Sequence, residues 1–150
     1  MSVAFPLHTL AVIVWVGGLF LLCVVFQPST RDLDTETAMS LWHRMLSRFF
    51  AWAWISLLLI LATGIGMVFL TFGGFSNVPM LHQVNRAIGI PAIALYGYLY
   101  FGPWRQYRRA MSRHDLIAAE KGIARIRVVM AIILTLGLVA SVVSAAGRYI

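Results

Sequence analysis

Charged residues are scarce in this sequence, and acidic residues are the scarcest. Only 11% of the 150 residues are charged, with five Asp and Glu against twelve Lys and Arg, whereas soluble domains contain about 25% charged residues. Hydrophobic residues make up 61% of the chain. A chain this poor in charge cannot cover a core with a water-facing surface, so the composition excludes a soluble globular domain and predicts a membrane protein.

The chain contains a single cysteine, Cys23, within an apolar stretch. One thiol cannot form an intrachain disulfide or a paired-cysteine metal or redox motif, so both classes of site are excluded. The net charge of +7 is concentrated in two arginine-rich loops. Basic loops beside membrane helices and anionic lipid account for that charge, so membrane lipid is a predicted partner and nucleic acid is not.

Long apolar runs are what the sequence has in abundance. The four runs are residues 4–27, 49–71, 81–102 and 128–146, close to the roughly 20 residues with which an α-helix spans hydrocarbon. They occupy most of the chain, which predicts one domain over residues 1–150. The predicted fold class is all-α, an integral membrane bundle of four transmembrane helices.

Basic residues predict the orientation of this bundle. The loop at 28–48 contains three arginines and the loop at 103–127 contains six arginines and one lysine, whereas residues 72–80 contain none and the C-terminus has only Arg148. Basic loops stay on the cytoplasmic side. Both termini are therefore predicted to lie outside, in a multi-pass membrane protein.

Both basic loops contain helical signals. The acidic stretch around Asp34 is suited to cap a short helix that lies in the headgroup region before the second span, with Leu41, Met45 and Leu46 as its apolar stripe. In the second loop, residues 114–129 predict either an interfacial helix or an extension of the fourth span.

Three ionisable residues fall within the predicted spans, all on the outer side: His8 in the first span, and His82 and Arg86 in the third. Ionisable side chains are expensive in a membrane and mark functional sites by default. Counting from the predicted span ends places the two histidines at similar depth. They are therefore candidates for holding one ligand between the first and third helices.

The faces that carry the histidines also carry residues suited to a flat ligand. By the i, i+3, i+4 rule these residues are Trp15, Gly18, Asn85, Arg86 and Gly89. Arg86 can pair with a carboxylate, and Gly89 lets a flat ligand approach the backbone.

The first and third spans share a short pattern. "LH" at residues 7–8 precedes "FQP" ending at Pro28, and "LH" at residues 81–82 precedes "FGP" ending at Pro103. A basic loop and a return helix follow each one. The pattern suggests two pseudo-repeated helical hairpins, related by an approximate two-fold axis along the membrane normal.

Two cofactors suit a site built on His8 and His82. Heme b takes two imidazoles as axial ligands, or one with the other position open, and Arg86 can neutralise its propionates. Copper takes imidazole and thioether ligands, which Met67 and Met80 offer on the same side.

A copper pathway needs soft ligands across the whole bilayer. The inner halves of the spans offer only Cys23 and Met130, and the cation Arg86 is a poor neighbour for copper. Heme b is therefore the favoured cofactor. Copper binding or transport by the same histidines is the alternative.

The predicted function is electron transfer, or oxidation of a membrane-soluble donor such as a quinol or a porphyrinogen, and whether the protein is an enzyme stays open. A third alternative is a non-catalytic membrane subunit whose histidines only join helices. The small-residue series Gly137, Ser141 and Ala145 is typical of helix packing and is compatible with a homodimer.

Several segments resemble known families. Residues 7–22 (LHTLAVIVWVGGLFLL), 41–54 (LWHRMLSRFFAWAW) and 145–149 (AAGRY), with the "LH" of the third span, resemble the CopD-type copper-resistance family of small bacterial inner-membrane proteins. A histidine at the start of helices 1 and 3 is also similar to the HemJ-type protoporphyrinogen oxidases. The first resemblance implies copper handling. The second implies heme at His8 and His82.

The sequence departs from the oxidase pattern at two places. Residues 21–28 (LLCVVFQP) lack that family's arginine late in helix 1, and Val84 stands in place of its lysine two residues after the helix-3 histidine. These departures weigh against the oxidase activity more than against heme binding.

Overall fold

The computed structural model describes residues 3–147, and within that range the chain is helical and contains no strand. The prediction of an all-α fold is confirmed. Helix α1, Ala4–Phe20, continues through a π-helical segment, Leu21–Phe26, into α2, Gln27–Ser29. The remaining helices are α3 (Thr35–Phe72), α4 (Met80–Phe101), α5 (Pro103–Ser112) and α6 (Leu116–Ala146), with a 3₁₀ turn at Phe75–Asn77. Arg148 lies outside the described residues.

Three helical stretches in the described range are long and apolar enough to cross a membrane: Ala4–Ser29, Thr35–Phe72 and Leu116–Ala146. The third predicted span, residues 81–102, corresponds to α4, whose 22 residues are close to the roughly 20 that span hydrocarbon as a helix. Its first two turns contain four polar residues, His82, Gln83, Asn85 and Arg86, which lower its hydropathy below that of the other three.

Helix α3 begins and ends at identifiable capping residues. The Asp34 carboxylate accepts a hydrogen bond of 3.0 Å from the Thr37 backbone N–H, which also holds the pKa of that carboxyl below its usual value. Gly73 ends the helix with a φ of 67°, a left-handed conformation that glycine adopts without strain.

The expectation of a separate interfacial helix before the second span is wrong. Helix α3 runs unbroken for 38 residues, because residues 35–63 contain neither proline nor glycine. Leu46, placed in the headgroup region by the sequence argument, is fully buried in the protein core.

The second basic loop folds into α5 and the start of α6. Gly102 leaves the helical conformation (φ −105°, ψ −93°), and Pro103 is the first residue of α5. The Asp115 carboxylate caps α6 by accepting from the Ala118 backbone N–H at 3.1 Å. Because α6 then continues without interruption to Ala146, the alternative of an extended fourth span is confirmed.

The helices pack as two neighbouring pairs, α1 on α3 and α4 on α6, and α5 folds back on α6. Helix α1 also crosses α6 at Gly137, where an added Cβ would lie 2.9 Å from Val16 Cγ2. Helix α5 meets α6 at Gly122, where an added Cβ would lie 3.3 Å from the Tyr107 Cβ. Gly137, the first residue of the predicted small-residue seam, thus serves a contact within the chain.

Burial is uneven along the bundle. In α3 the buried residues lie at Leu57 or before it except for Val68, and α4 buries no residue before Ala92. We call the half that contains α5 and the first parts of α3 and α6 the basic end. We call the half that contains the last turns of α3 and the first turns of α1 and α4 the open end. The tightly packed core occupies the basic end and the middle.

Candidate functional site

His8 of α1 contacts the part of α3 that lies toward the open end. Its Nδ1 lies 2.8 Å from the Thr63 Oγ1, and an added Cβ at Gly64 would lie 3.5 Å from its Cε1. The Thr63 hydroxyl donates its own proton to the Leu59 carbonyl oxygen at 2.5 Å. The small residue at 64 therefore lets the imidazole approach the α3 backbone.

This hydrogen-bond chain favours one tautomer of His8. Because the Thr63 hydroxyl proton is used on Leu59, the Thr63 oxygen accepts from the His8 Nδ1–H. The Nε2 is then the unprotonated nitrogen, with its lone pair available. An imidazole oriented through one nitrogen and free at the other is the arrangement found for histidines that bind metals.

His82 and Arg86 lie at the open end. His82 is exposed, with its ring centroid 5.4 Å from that of Phe72. Arg86, one turn further into α4, is partly buried and places its Cζ 5.2 Å from the centre of the Phe75 ring. Both residues therefore border the last turn of α3 and the 3₁₀ turn that follows it.

The structure does not bring the two histidines to one level. Helices α1 and α4 meet at Trp15 and Tyr96, whose ring centroids are 6.1 Å apart. His8 lies seven residues before its helix's contact residue and His82 lies fourteen before its own, which places His82 about 10 Å nearer the open end. The contacts with α3 agree, because the partner of His82 lies nine residues beyond that of His8.

Gly89 is the α4 residue level with His8. Like His8, it precedes its helix's contact residue by seven positions, and residues seven apart lie on nearly the same helix face. His8 thus lies on the same face of α1 as Trp15, and Gly89 lies on the same face of α4 as Tyr96. An added Cβ at Gly89 would have no atom within 4 Å. The space beside this glycine is therefore open.

Two predicted site residues hold buried polar atoms with no hydrogen-bond partner among the described residues. They are the Nε1 of Trp15, a side chain only 5% exposed, and the Oδ1 of Asn85. The Asn85 Nδ2 donates to the Ser144 Oγ at 2.8 Å. Buried polar atoms in proteins are almost always hydrogen-bonded. The Trp15 Nε1–H is therefore available as a donor to a ligand, and the Asn85 Oδ1 as an acceptor.

The remaining predicted residues have other surroundings. An added Cβ at Gly18 would lie 2.9 Å from the Phe49 Cε2, so this glycine serves the packing of α1 on α3. Met80 is 81% exposed and Met67 is partly buried. Between residues 3 and 147, no group of three His, Cys, Asp or Glu side chains is arranged to hold a metal ion.

The sequence argument missed Thr63 and Ser144. Thr63 carried a usable signal, because it is the only polar side chain between residues 57 and 70. Ser144 carried none, since serine in a membrane helix commonly bonds to its own backbone.

Comparisons with models of protein families, with curated proteins and with solved structures found no match to the chain. The case for any cofactor therefore depends on the residues and their geometry.

Proposed function

We propose that the protein is a heme b-binding redox protein of the bacterial inner membrane, with His8 as an axial ligand. The observation that carries the proposal is the hydrogen-bond chain from His8 through Thr63 to Leu59, which favours the tautomer with the proton on Nδ1 and the lone pair on Nε2. Bound heme would supply one-electron redox chemistry. The donor in this proposal is a membrane-soluble molecule such as a quinol or a porphyrinogen.

The surrounding residues fit a flat, carboxylate-bearing ligand. Gly89 leaves space at the level of His8. The Trp15 Nε1 and the Asn85 Oδ1, buried atoms with no partner among the described residues, lie on the same two helices within about two turns of this level. Arg86 supplies a guanidinium between this level and the open end, where it can neutralise a carboxylate. A bare copper ion would use neither the space nor the cation.

The proposal gives His8 and His82 different roles. Because His82 lies about 10 Å nearer the open end, we assign it to the heme carboxylates together with Arg86. The sequence prediction, in which His82 is the second axial ligand, requires the level of α4 to change relative to α1. The absorption spectrum distinguishes these two arrangements.

We infer that α4 is also a membrane span, which brings the number of spans to four, and that both termini face outward. Helix α3 is about 57 Å long at 1.5 Å per residue, far more than the roughly 30 Å of hydrocarbon, and its excess length at the basic end lies beside α5. Arginines of α5 and α6 cluster at that end, which the positive-inside rule places in the cytoplasm.

The first test is the absorption spectrum of the detergent-purified protein, oxidised and dithionite-reduced, with iron and copper analysis. We expect near-stoichiometric iron and a Soret band that shifts on reduction. His8→Ala should lower heme content at least about ten-fold, whereas His43→Ala, a histidine of the basic end, should not. His82→Ala should retain heme with the same spin state.

Three outcomes contradict the proposal in different ways. Full, spectrally unchanged heme in His8→Ala removes the ligand assignment. A change from low-spin to high-spin heme in His82→Ala restores the bis-histidine arrangement. A colourless protein that contains copper, even after heme addition, replaces heme with copper handling.

Gly89→Leu tests the position of the ligand. Its side chain would fill the open space at Gly89, which we assign to the heme, so heme content should fall at least several-fold while the protein stays folded. Gly97→Leu is the matched control in the same helix, because an added Cβ there also has no atom within 4 Å. Equal heme loss in both variants would place the ligand elsewhere.

A further inference from the structure

A groove runs between α3 and the bend that joins α4 to α5, at the basic end. Its volume is about 180 Å³. Seven residues from the two walls line it: Ser47, Phe50, Ala51, Trp54, Tyr100, Trp104 and Arg108. The walls are mainly aromatic, and one end of the groove is cationic.

The cationic end continues onto the exposed face of α5. Arg108 also borders a second concavity, which is lined by Arg105, Arg109 and Ser112. The Arg108 Cζ lies 5.8 Å from the centre of the Trp104 ring. When a guanidinium lies over an aromatic ring, the face of the guanidinium contacts the ring, and the N–H groups at its edge stay available to bind an anion.

Three of the five acidic side chains are engaged at the same end. Asp34 and Asp115 cap the first turns of α3 and α6, and Glu120 accepts from the Thr35 hydroxyl at 3.3 Å. Helix α5 itself contains three arginines and no acidic residue, so it presents a net positive surface beside the aromatic groove.

The groove lies among exposed aromatic side chains. Trp52, Tyr98 and Phe101 are each more than half exposed on the neighbouring turns of α3 and α4. Rings of this kind mark the level of lipid headgroups in membrane proteins. At that level a groove with an apolar wall and an arginine end has the chemistry of a lipid, because a phospholipid presents a phosphate above an apolar chain.

We propose that this groove is a binding site for an anionic phospholipid of the inner leaflet. The phosphate binds Arg108 and Arg105, and the glycerol and upper acyl chain lie along Phe50 and Trp54. The inference rests on the membrane orientation proposed above but not on heme, so it holds or fails independently of His8.

The test uses the full chain reconstituted into phosphatidylcholine nanodiscs that contain either brominated phosphatidylglycerol or brominated phosphatidylcholine at the same low mole fraction. Bromine quenches nearby tryptophan fluorescence, and Trp54 and Trp104 line the groove. We expect several-fold stronger quenching by the brominated phosphatidylglycerol. Arg108→Gln should abolish this preference, whereas Arg44→Gln, an exposed arginine of the same end, should leave it intact.

A second pair of variants tests the groove itself. Ala51→Leu fills it and should lower the quenching by phosphatidylglycerol several-fold, whereas Ala62→Leu, an exposed position on the same helix, should not. Inorganic phosphate at constant ionic strength should not remove the lipid preference.

Three results would overturn the proposal. Equal quenching by both lipids means that there is no selective site. Equal loss in Arg44→Gln and Arg108→Gln means that only the general surface charge attracts anionic lipid. Displacement by inorganic phosphate means that the arginines form a free-anion site without a lipid.

Discussion

The basic end and the open end of the bundle are built from different interactions. At the basic end the Phe50 ring lies 5.0 Å from Trp104 and 5.4 Å from Tyr100, centroid to centroid. Such pairs contribute about 0.5–1.5 kcal/mol each beyond their buried area. At the open end the corresponding rings, Phe72 and Phe75, contact His82 and Arg86.

Because of this difference, the residues that stabilise the fold and the residues proposed to bind the cofactor lie in different halves of the molecule. The side chains that hold the helices together lie at the basic end and in the middle, whereas His8, Asn85 and Arg86, the polar side chains proposed to hold the cofactor, lie toward the open end. Substitutions at the basic end should therefore change the free energy of unfolding. Substitutions at the open end should change cofactor binding and leave stability nearly unaltered.

The largest effect on stability is expected at Gly122. A leucine there would meet the Tyr107 Cα at 3.4 Å, a backbone atom that cannot move aside easily. Unfolding by SDS in mixed micelles should show a loss of about 1–3 kcal/mol. The control is Gly66→Leu on α3 at the open end, where an added Cβ has no atom within 4 Å. Similar losses in both variants would break the comparison between the two ends.

The next effect concerns the open end and Thr63. Thr63→Val keeps the shape of the side chain but removes the oxygen that accepts from the His8 Nδ1–H. Heme affinity, measured by titrating the apo-protein, should fall about 10–100-fold, as for other ligand-orienting partners of metal sites. Thr63→Ser should restore most of it. Wild-type affinity in Thr63→Val would mean that His8 is oriented by something else.

A smaller effect is expected when the hydroxyl of Tyr107 is removed. This hydroxyl donates to the Met39 carbonyl oxygen and joins α5 to α3. Tyr107→Phe should lower the free energy of unfolding by about 1 kcal/mol. Tyr98→Phe is the control, because the Tyr98 side chain is 57% exposed. A larger loss from the exposed tyrosine would contradict the burial argument.

The pH dependence of stability gives the smallest signal. Burial raises the pKa of Tyr107 above its ordinary value of about 10, so the folded state keeps the hydroxyl proton at pH values where the unfolded chain loses it. The contribution of Tyr107 to the free energy of unfolding should therefore be constant well below pH 10 and fall as the pH rises through that value. Tyr107→Phe should make that decline shallower, as measured by SDS unfolding between about pH 9 and 11. An unchanged slope would contradict the assignment.

The sequence predicts which segments are helical better than it predicts where the helices run and how they pack against one another. Apolar runs and the Asp34 capping signal predicted helical segments that the structure contains, because both depend on neighbouring residues. The unbroken passage of α3 through residues 35–48 was missed, since a polar, basic stretch does not itself reveal whether a helix bends into the interface or continues straight.

The level of the histidines shows the same limit. The prediction of equal depth for His8 and His82 came from counting inward from assumed span ends. The relative level of two helices is fixed instead by distant contacts such as Trp15 on Tyr96. No local pattern encodes such a contact. Gly89 was identified from its small size, but its place opposite His8 depends on that same packing.

The unbroken length of α3 has a mechanical consequence. A helix held by continuous backbone hydrogen bonds tilts as a rod, and this rod carries the groove residues just before its midpoint and Thr63 beyond it. A tilt of about 5° around the midpoint displaces each end of a rod of about 57 Å by about 2.5 Å, and Thr63, about 14 Å from the midpoint, by about 1.2 Å, which is enough to break a hydrogen bond. The tilt of α3 therefore links the distance between Thr63 and His8 to the position of the other end of the helix in the membrane.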